Sequence, residues 1–280
     1  MRIIITGASS GLGLASADAF AKEGHNVVML ARRAERLKQA ASDLARRYPQ
    51  AQIESQTLDV SDFGQVKEFS KNQRQAIDVL MNNAGLMGPD FAFSNQGIEQ
   101  QMATNHLGHF LLTKLLWESL EQAKSPRVIS LSSVVHRRGN LRDLSLERLR
   151  GANQEGYDRW QRYADSKLAC LLFAKELDTR AKQLGSRVLS IAAHPGWAIT
   201  GLQENFPHVL DRLAQTAAQG AQSQIYAASA KLTGGEFVGP KFELWGKPRL
   251  IRGSKHSQDL AVSQRLWELS EELVGERFLS

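Results

Sequence analysis

The stretch RIIITGASSGLG, residues 2–13, opens the chain and decides its fold. Its first half, RIIIT, is a short β-branched run that reads as a strand. It passes without a linker into Gly7, Gly11 and Gly13, spaced Gly-x3-Gly-x-Gly, and then into a helical pattern. Glycines there let the backbone turn sharply and approach a pyrophosphate, whose charge is met by free N–H groups at the helix start. The spacing differs from G-x-G-x-x-G but serves the same physics. A turn of this kind alone can be a plain tight turn. At the first β–α junction of an alternating chain it points to dinucleotide binding, with Gly7, Ser9, Ser10, Gly11, Leu12 and Gly13 as candidate contacts.

Outward from this stretch, short aliphatic runs alternate with longer helical patterns. Strands are predicted at about 2–6, 26–31, 52–57, 77–81, 126–132, 187–193 and 241–245, and helices near 11–23, 33–47, 61–75, 97–122 and 160–183. Two more helical stretches follow at roughly 208–215 and 218–231, and a last amphipathic one near 257–274 carries Leu260, Leu266, Trp267, Leu269 and Leu273. Such alternation argues for a parallel sheet covered by helices on both faces. The expected class is α/β, a Rossmann-type doubly wound, mostly parallel seven-stranded sheet. No internal repeat, low-complexity segment or Pro/Gly/Ser linker interrupts the chain, so one domain spanning 1–280 is expected. Stretches 136–159 and 195–207 read as irregular.

With 42% hydrophobic and 23% charged residues, the composition is that of an ordinary globular protein. No apolar run approaches the roughly 18 residues of a membrane span, and the opening run is too short for a signal peptide. The single cysteine, Cys170, excludes an internal disulfide and lies in an apolar run, so it reads as core rather than nucleophile. A reducing, cytoplasmic setting is expected. The net charge of +6 is spread over small groups of Lys and Arg without interleaved aromatics, which argues against a nucleic-acid partner.

One of those basic groups has a specific use. At the end of the second strand a carboxylate would bind the ribose 2′-hydroxyl of NAD. Here VVMLARRAERL, residues 27–37, places Arg32 and Arg33 at that point, with no acid before Glu35. Two guanidiniums suit a 2′-phosphate, so NADP (NADPH) is the expected cofactor and NAD the lesser one.

Four features fall in order: TGASSGLG (6–13), NNAG (82–85), the pair Ser132–Ser133 after the fifth strand, and YADSK (163–167). With LDV at 58–60, Asn105 in MATNHLGHF and HPG at 194–196, the set resembles the short-chain dehydrogenase/reductase family over nearly the whole chain. ARR, SSVVHRRG, YADSKLACLLFAKEL and AAHPGWAITGL look most like its retinol-dehydrogenase and WW-domain-oxidoreductase-like branch, which includes bacterial members. The resemblance implies an oxidoreductase acting on an alcohol or carbonyl. In it Tyr163 is the catalytic acid/base, and Lys167 is its partner and binds the nicotinamide ribose. Ser133 donates a hydrogen bond to the substrate oxygen, and Asn105 holds a water linking Lys167 to solvent. Ser133 is preferred to Ser132 because the family's catalytic serine is the second of such a pair. Asn83, Ala84 and Gly85 would line the adenosine-ribose side, and Asp59 and Val60 the adenine. Pro195 and Gly196 are further cofactor contacts, with Thr200 near the nicotinamide carboxamide.

The chemistry also stands on the residues themselves. Tyr163 and Lys167 are four apart and share one helix face, one turn above the other. A free phenol ionises near pH 10, and an ammonium one turn away, with an oxidised nicotinamide, favours the phenolate form. Tyr163 could then take the alcohol proton as hydride leaves, or return it in reduction. A positioned acid/base contributes roughly 10²–10⁴-fold in rate, and the Ser133 hydrogen bond stabilises charge developing on oxygen.

His136 and His194 lie near motif residues, but no H-x-x-x-H, Cys/His cluster or paired acid accompanies them. Structural or pocket-lining roles are expected, and no metal. Between Ser133 and Tyr163 lies an insertion rich in charge and aromatics, including Tyr157 and Trp160, similar to one in the retinol-dehydrogenase branch. It leaves open which surfaces would pair in a homo-oligomer of the family's usual kind. After HPG come Trp197, Leu202, Phe206, Leu210 and Leu213, too apolar for an exposed loop. The span 197–216 is expected to be a lid over a lipophilic small-molecule substrate. Two other readings share the fold. A cofactor-binding regulator or scaffold generally loses the tyrosine or lysine, and this chain keeps all four catalytic positions. A sugar-nucleotide epimerase or dehydratase shares YxxxK but brings a C-terminal substrate domain and a G-x-x-G-x-x-G loop, neither of which is present.

Overall fold

In the computed structural model, which describes residues 1–151, 154–198 and 214–279, the aliphatic runs become strands of one sheet. Seven strands run parallel: β1 (Arg2–Thr6), β2 (Asn26–Ala31), β3 (Gln52–Thr57), β4 (Val79–Asn82), β5 (Arg127–Leu131), β6 (Leu189–Ala193) and β7 (Phe237–Pro240). An eighth, β8 (Pro248–Leu250), pairs antiparallel with β7 at the edge. The order is β3-β2-β1-β4-β5-β6-β7-β8. Successive side chains point to opposite faces. Ile4, Val28, Leu80 and Val128 enter one apolar core, while Ile3, Ile5, Met29, Met81 and Ile129 enter the other. Because both faces are buried, the central strands read as unbroken apolar runs.

The second core is covered by α1 (Gly11–Lys22), α2 (Ala34–Arg47) and α9 (Ala217–Ser229), and the first by α3 (Phe63–Lys71), α5 (Gly108–Leu115), α8 (Arg159–Gln183) and α10 (Leu260–Val274). Trp267 of α10 stacks with Phe173 and with Phe278, at 5.9 and 5.1 Å between ring centroids, with Phe110 edge-on at 4.9 Å. Truncating a buried aromatic of this kind costs about 3–5 kcal/mol, so α10 belongs to the core rather than decorating it. Side chains of Asp62, Asp158, Thr216 and Asp259 cap α3, α8, α9 and α10. No side chain caps α1 or α2.

Strand order reverses between β1 and β4. In open α/β sheets a ligand crevice opens beyond the carboxyl ends of the strands at such a point. Both α1 and α2, which lack a side-chain cap, follow strands on this part of the sheet.

The sheet departs from the expected seven strands in its last member. The strand predicted at 241–245 is instead the turn joining β7 to β8. Glu243 adopts a φ of 63° and Gly246 one of 113°, and the Phe242 N–H donates to the Trp245 carbonyl at 3.0 Å. The apolar run FELW is therefore a hairpin tip with Phe242 and Trp245 exposed. The helix predicted over 97–122 is broken into α4 (Gln100–Met102), a π-helical turn (Ala103–Leu107), α5 and α6 (Trp117–Glu121). The irregular stretch 136–159 contains one short helix, α7 (Leu146–Arg150), after a 3-10 turn (Val134–Arg138). Thr200, most of the expected lid and most of the helix predicted at 208–215 lie outside the described residues. Among the described residues, no helix is long and apolar enough to cross a membrane.

Candidate active site

The cleft at the reversal point is assembled from strand ends. After β1 the chain turns through Gly7, at a φ of 68°, into the uncapped start of α1. A Cβ on Gly13 would meet the Gly7 carbonyl and lie 2.6 Å from Asn83 Nδ2, so only glycine lets α1 pack this close. The turn is laced to the loop after β4. Asn83 Nδ2 donates to the Thr6 carbonyl at 2.7 Å, and the N–H groups of Asn83 and Ala84 both donate to Thr6 Oγ1 at 2.9 Å. Unpaired N–H groups at a helix start attract an anion.

Every residue expected around the phosphates and adenosine lines this cleft: Gly7, Ser9 through Gly13, Arg32, Arg33, Asp59, Val60 and Asn83 through Gly85. Sequence reasoning left out Ala31 and Leu58, which border predicted contacts, and Arg36, Leu86, Thr104 and Leu131, all of which line it too. Arg36 lies in the first turn of α2, four residues after Arg32, a spacing visible in the sequence. Leu86, Thr104 and Leu131 carried no local signal. Arg32 Nη1 is 3.8 Å from Asp59 Oδ2, and its side chain is 57% exposed.

Ser133, Asn105, Tyr163, Lys167, Pro195 and Gly196 are not among the lining residues, but two contacts join the helix pair to the cleft. Lys167 Nζ donates to the Leu131 carbonyl at 2.9 Å, and a Cβ on Gly85 would lie 3.4 Å from that same Nζ and 3.2 Å from Asn105 Oδ1. The NNAG loop can pass this close because Gly85 has no side chain. On α8, Lys167 Nζ sits 5.8 Å from the centroid of the Tyr163 ring, and both residues are buried.

The serine pair divides its labour. Ser132 is buried and its Oγ donates to the Lys167 carbonyl at 2.7 Å, which commits its proton to the backbone. Ser133 Oγ accepts from the Val135 N–H at 3.3 Å as the cap of the 3-10 turn, which leaves its own proton to donate elsewhere. Asn105 sits in the π-helical turn, a distortion frequent at functional sites. Its Oδ1 accepts from the Leu86 N–H at 2.8 Å, and its Nδ2 donates to the Leu86 carbonyl at 3.0 Å and to Ser166 Oγ at 2.8 Å. The amide thereby pins the loop after β4 to both helices.

The histidines near the site hydrogen-bond to protein partners. His136 Nδ1 donates to the Ser133 carbonyl at 2.6 Å, a tautomer that follows from Nε2 accepting the Ser254 N–H at 3.0 Å. His194 Nδ1 accepts from the Gly196 N–H at 3.1 Å, and burial lowers its pKa to about 3. Burial likewise lowers His109, whose Nε2 lies 2.9 Å from Thr6 Oγ1, to about 4. Pro195 and Gly196 follow β6, where the Pro195 carbonyl accepts from Gln215 Nε2 at 2.8 Å.

The sequence profile of the short chain dehydrogenase family matches residues 1–142. The chain belongs to the short-chain dehydrogenase family. Retinol dehydrogenase 12 from Mus musculus is 31% identical over 98% of this dehydrogenase and 86% of its own length. Retinol dehydrogenase 12 from Bos taurus is 32% identical over 99% and 87%. These likenesses place the chain in the retinol-dehydrogenase-like branch. The crystal structure of an uncharacterised protein from Mycobacterium paratuberculosis matches it with a TM-score of 0.85 at 36% identity, over 99% of this chain and 94% of that one. A short chain dehydrogenase from Shigella flexneri, complexed with NADP, shares the fold at a TM-score of 0.69 and 23% identity, over 85% and 96%. This short-chain dehydrogenase is thus an NAD(P)-dependent oxidoreductase that interconverts alcohol and carbonyl groups of a small molecule.

Proposed function

We propose that the enzyme prefers NADP(H), acts on a lipophilic small molecule and uses Tyr163 as its acid/base. The observation that carries the proposal is one continuous cleft. It runs from the guanidinium-bearing residues Arg32, Arg33 and Arg36, past the glycine turn, to Gly85 and Leu131, both of which touch the surroundings of Lys167 Nζ. The close approach at Gly13 and the uncapped start of α1 fit a pyrophosphate. Arg32, Arg33 and Arg36 offer charge-assisted hydrogen bonds to a 2′-phosphate. When bound, the nicotinamide supplies or accepts hydride.

The chain's own groups do the rest. Tyr163 holds or takes the proton on the substrate oxygen, and Ser133 donates a second hydrogen bond to that oxygen. Lys167 binds the ribose hydroxyls and places a positive charge beside the phenol. Asn105 keeps the NNAG loop against both helices. Retinol dehydrogenases are named for an apolar alcohol, which supports a lipophilic substrate here. The same proposal takes 1–280 as one domain working in the cytoplasm, where the buried Cys170 stays reduced.

The test is a panel of aldehydes, ketones and alcohols, short and long, polar and apolar, followed by nicotinamide absorbance with each cofactor. NADPH-dependent turnover that improves with apolar chain length is expected. Preference for NADH, or turnover confined to small polar carbonyls, would overturn the proposal.

A further inference from the structure

Arg162 immediately precedes Tyr163 on α8, and it anchors a buried polar network that the proton chemistry does not use. Its side chain is 10% exposed, and the guanidinium spends its donors in three directions. Nε donates to Glu99 Oε2 at 2.8 Å, Nη1 to the Arg148 carbonyl at 2.9 Å and Nη2 to the Leu149 carbonyl at 2.5 Å. Glu99 in turn caps α4, accepting from the N–H groups of Gln101 at 2.8 Å and Met102 at 3.0 Å. Tyr157, from the insertion, donates its hydroxyl proton to Glu99 Oε1 at 3.2 Å. The buried Gln101 completes the network. Its Nε2 donates to the Arg159 carbonyl at 3.0 Å and to Tyr157 Oη at 2.9 Å, and its Oε1 accepts from the Gly88 N–H at 3.0 Å.

Three segments meet here. One is the first turns of α8, which carry Tyr163. Another is α4, which leads directly into the π-helical turn of Asn105. The third is the loop after β4, which has just passed Lys167 at Gly85. The first and third carry Tyr163 and Gly85, and the second feeds the turn of Asn105; the loop and α4 are consecutive, while α8 lies far from both in sequence. The insertion is therefore no free loop, because the end of α7 supplies two of the three acceptors around Arg162.

A buried ion pair is a poor device for net stability, since apolar side chains of similar size do as well. What a planar guanidinium with three fixed acceptors supplies is orientation, which a flexible ammonium cannot copy. We infer that Arg162 and Glu99 are positioning residues for Tyr163. They set the rotation and depth of α8 against the Asn105 turn, and so the place of the phenol beside the cleft. The inference rests on Tyr163 being the acid/base. Burial and the Glu99 charge push the Tyr157 phenol up to about 12, so it stays a neutral donor to Glu99 throughout the working pH range.

The test compares wild type with Arg162→Met, Arg162→Lys, Glu99→Gln and the Glu99→Gln/Arg162→Met double variant, all as full chains checked for native circular dichroism. Misplacement of a reacting group by about 1 Å costs on the order of 100-fold in rate. Arg162→Met should therefore lose roughly 10- to 100-fold in kcat. Its NADPH Kd should stay within about twofold, because no cleft-lining residue is touched. Arg162→Lys should recover only part of the rate. The double variant should be no slower than Arg162→Met, because the pair acts as a unit. Should Arg162→Met fail to fold, the isosteric Glu99→Gln carries the same expectation. Wild-type kcat in a folded variant, or kcat and NADPH affinity falling together, would overturn the inference while leaving Tyr163 in its role. Wild-type turnover by Tyr163→Phe would overturn the acid/base reading, and this inference with it.

Discussion

Replacing Arg32 should separate the two nicotinamide cofactors. In the structure its guanidinium lies 3.8 Å from Asp59 and is 57% exposed, so the pair is loose. Exposed pairs of this kind contribute about 0–1 kcal/mol, and Arg32→Gln should leave the fold almost as stable as before. Toward a 2′-phosphate the same group matters more. A charge-assisted hydrogen bond is worth roughly 1.5–3 kcal/mol, which at about 1.36 kcal/mol per decade is on the order of ten- to a hundredfold in affinity. Arg33 and Arg36 line the same cleft, so Arg32→Gln should keep a residual NADPH preference. Arg33, whose backbone forms the cap position of α2, should matter less. Arg32→Asp should go further. It sets a second carboxylate near Asp59, repels the phosphate and offers an acceptor to a ribose 2′-hydroxyl. Fluorescence titration of both cofactors against wild type and the two variants, at low and high salt, reads this directly. The NADPH loss should shrink as salt screens the exposed charge. Equal affinities in the wild type, or Arg32→Gln weakening NADPH and NADH alike, would refute the reasoning.

Tyr163→Phe should bind cofactor normally and melt normally while turnover on a confirmed substrate falls by about 100-fold or more, since one proton donor is lost. Lys167→Met should lose both turnover and cofactor affinity, measured in the same assays. Gly13→Ala drives a methyl against the Gly7 carbonyl and to 2.6 Å from Asn83 Nδ2. It should destabilise by about 1–3 kcal/mol and weaken NADPH and NADH equally, as thermal shift and titration will show. Finally, burial holds His106 and His194 at about 3 and His109 at about 4. Below the ordinary value near 6.5 the unfolded chain takes up protons that the folded one refuses. Stability is therefore full above that pH and falls toward pH 4, by about 1.4 kcal/mol per pH unit for each histidine. Urea midpoints at pH 7.5 and pH 5 check this, and a flat midpoint would refute it.

The elements that could be read from sequence are those whose cause is local. RIIIT announces β1 because a strand buried on both faces shows as an unbroken apolar run. Gly7, Gly11 and Gly13 announce the turn because their spacing is itself the geometry. YADSK carries its own helical register, so Tyr163 and Lys167 could be paired without coordinates. Arg32 and Arg33 were visible because they directly follow β2.

Where local pattern and tertiary placement disagree, sequence misleads. The apolar run FELW looked like a strand, but positive φ angles at Glu243 and Gly246 turn the chain there, and hydropathy carries no record of φ. Every residue from Gln101 to Thr113 is buried, so no one-sided apolar stripe marks the π-helical turn at Asn105, and the break was invisible. The choice of Ser133 over Ser132 needed a family resemblance, because the hydrogen bond that ties Ser132 to the Lys167 carbonyl is visible only in the structure. The pairing of Arg162 with Glu99, and of Asn105 with Ser166, joins residues 63 and 61 positions apart. At that separation nothing in the intervening chain encodes the contact. It exists only once the sheet has brought the ends of β4, β5 and α8 to one place, and burial then leaves each polar group no partner but the one that arrives beside it.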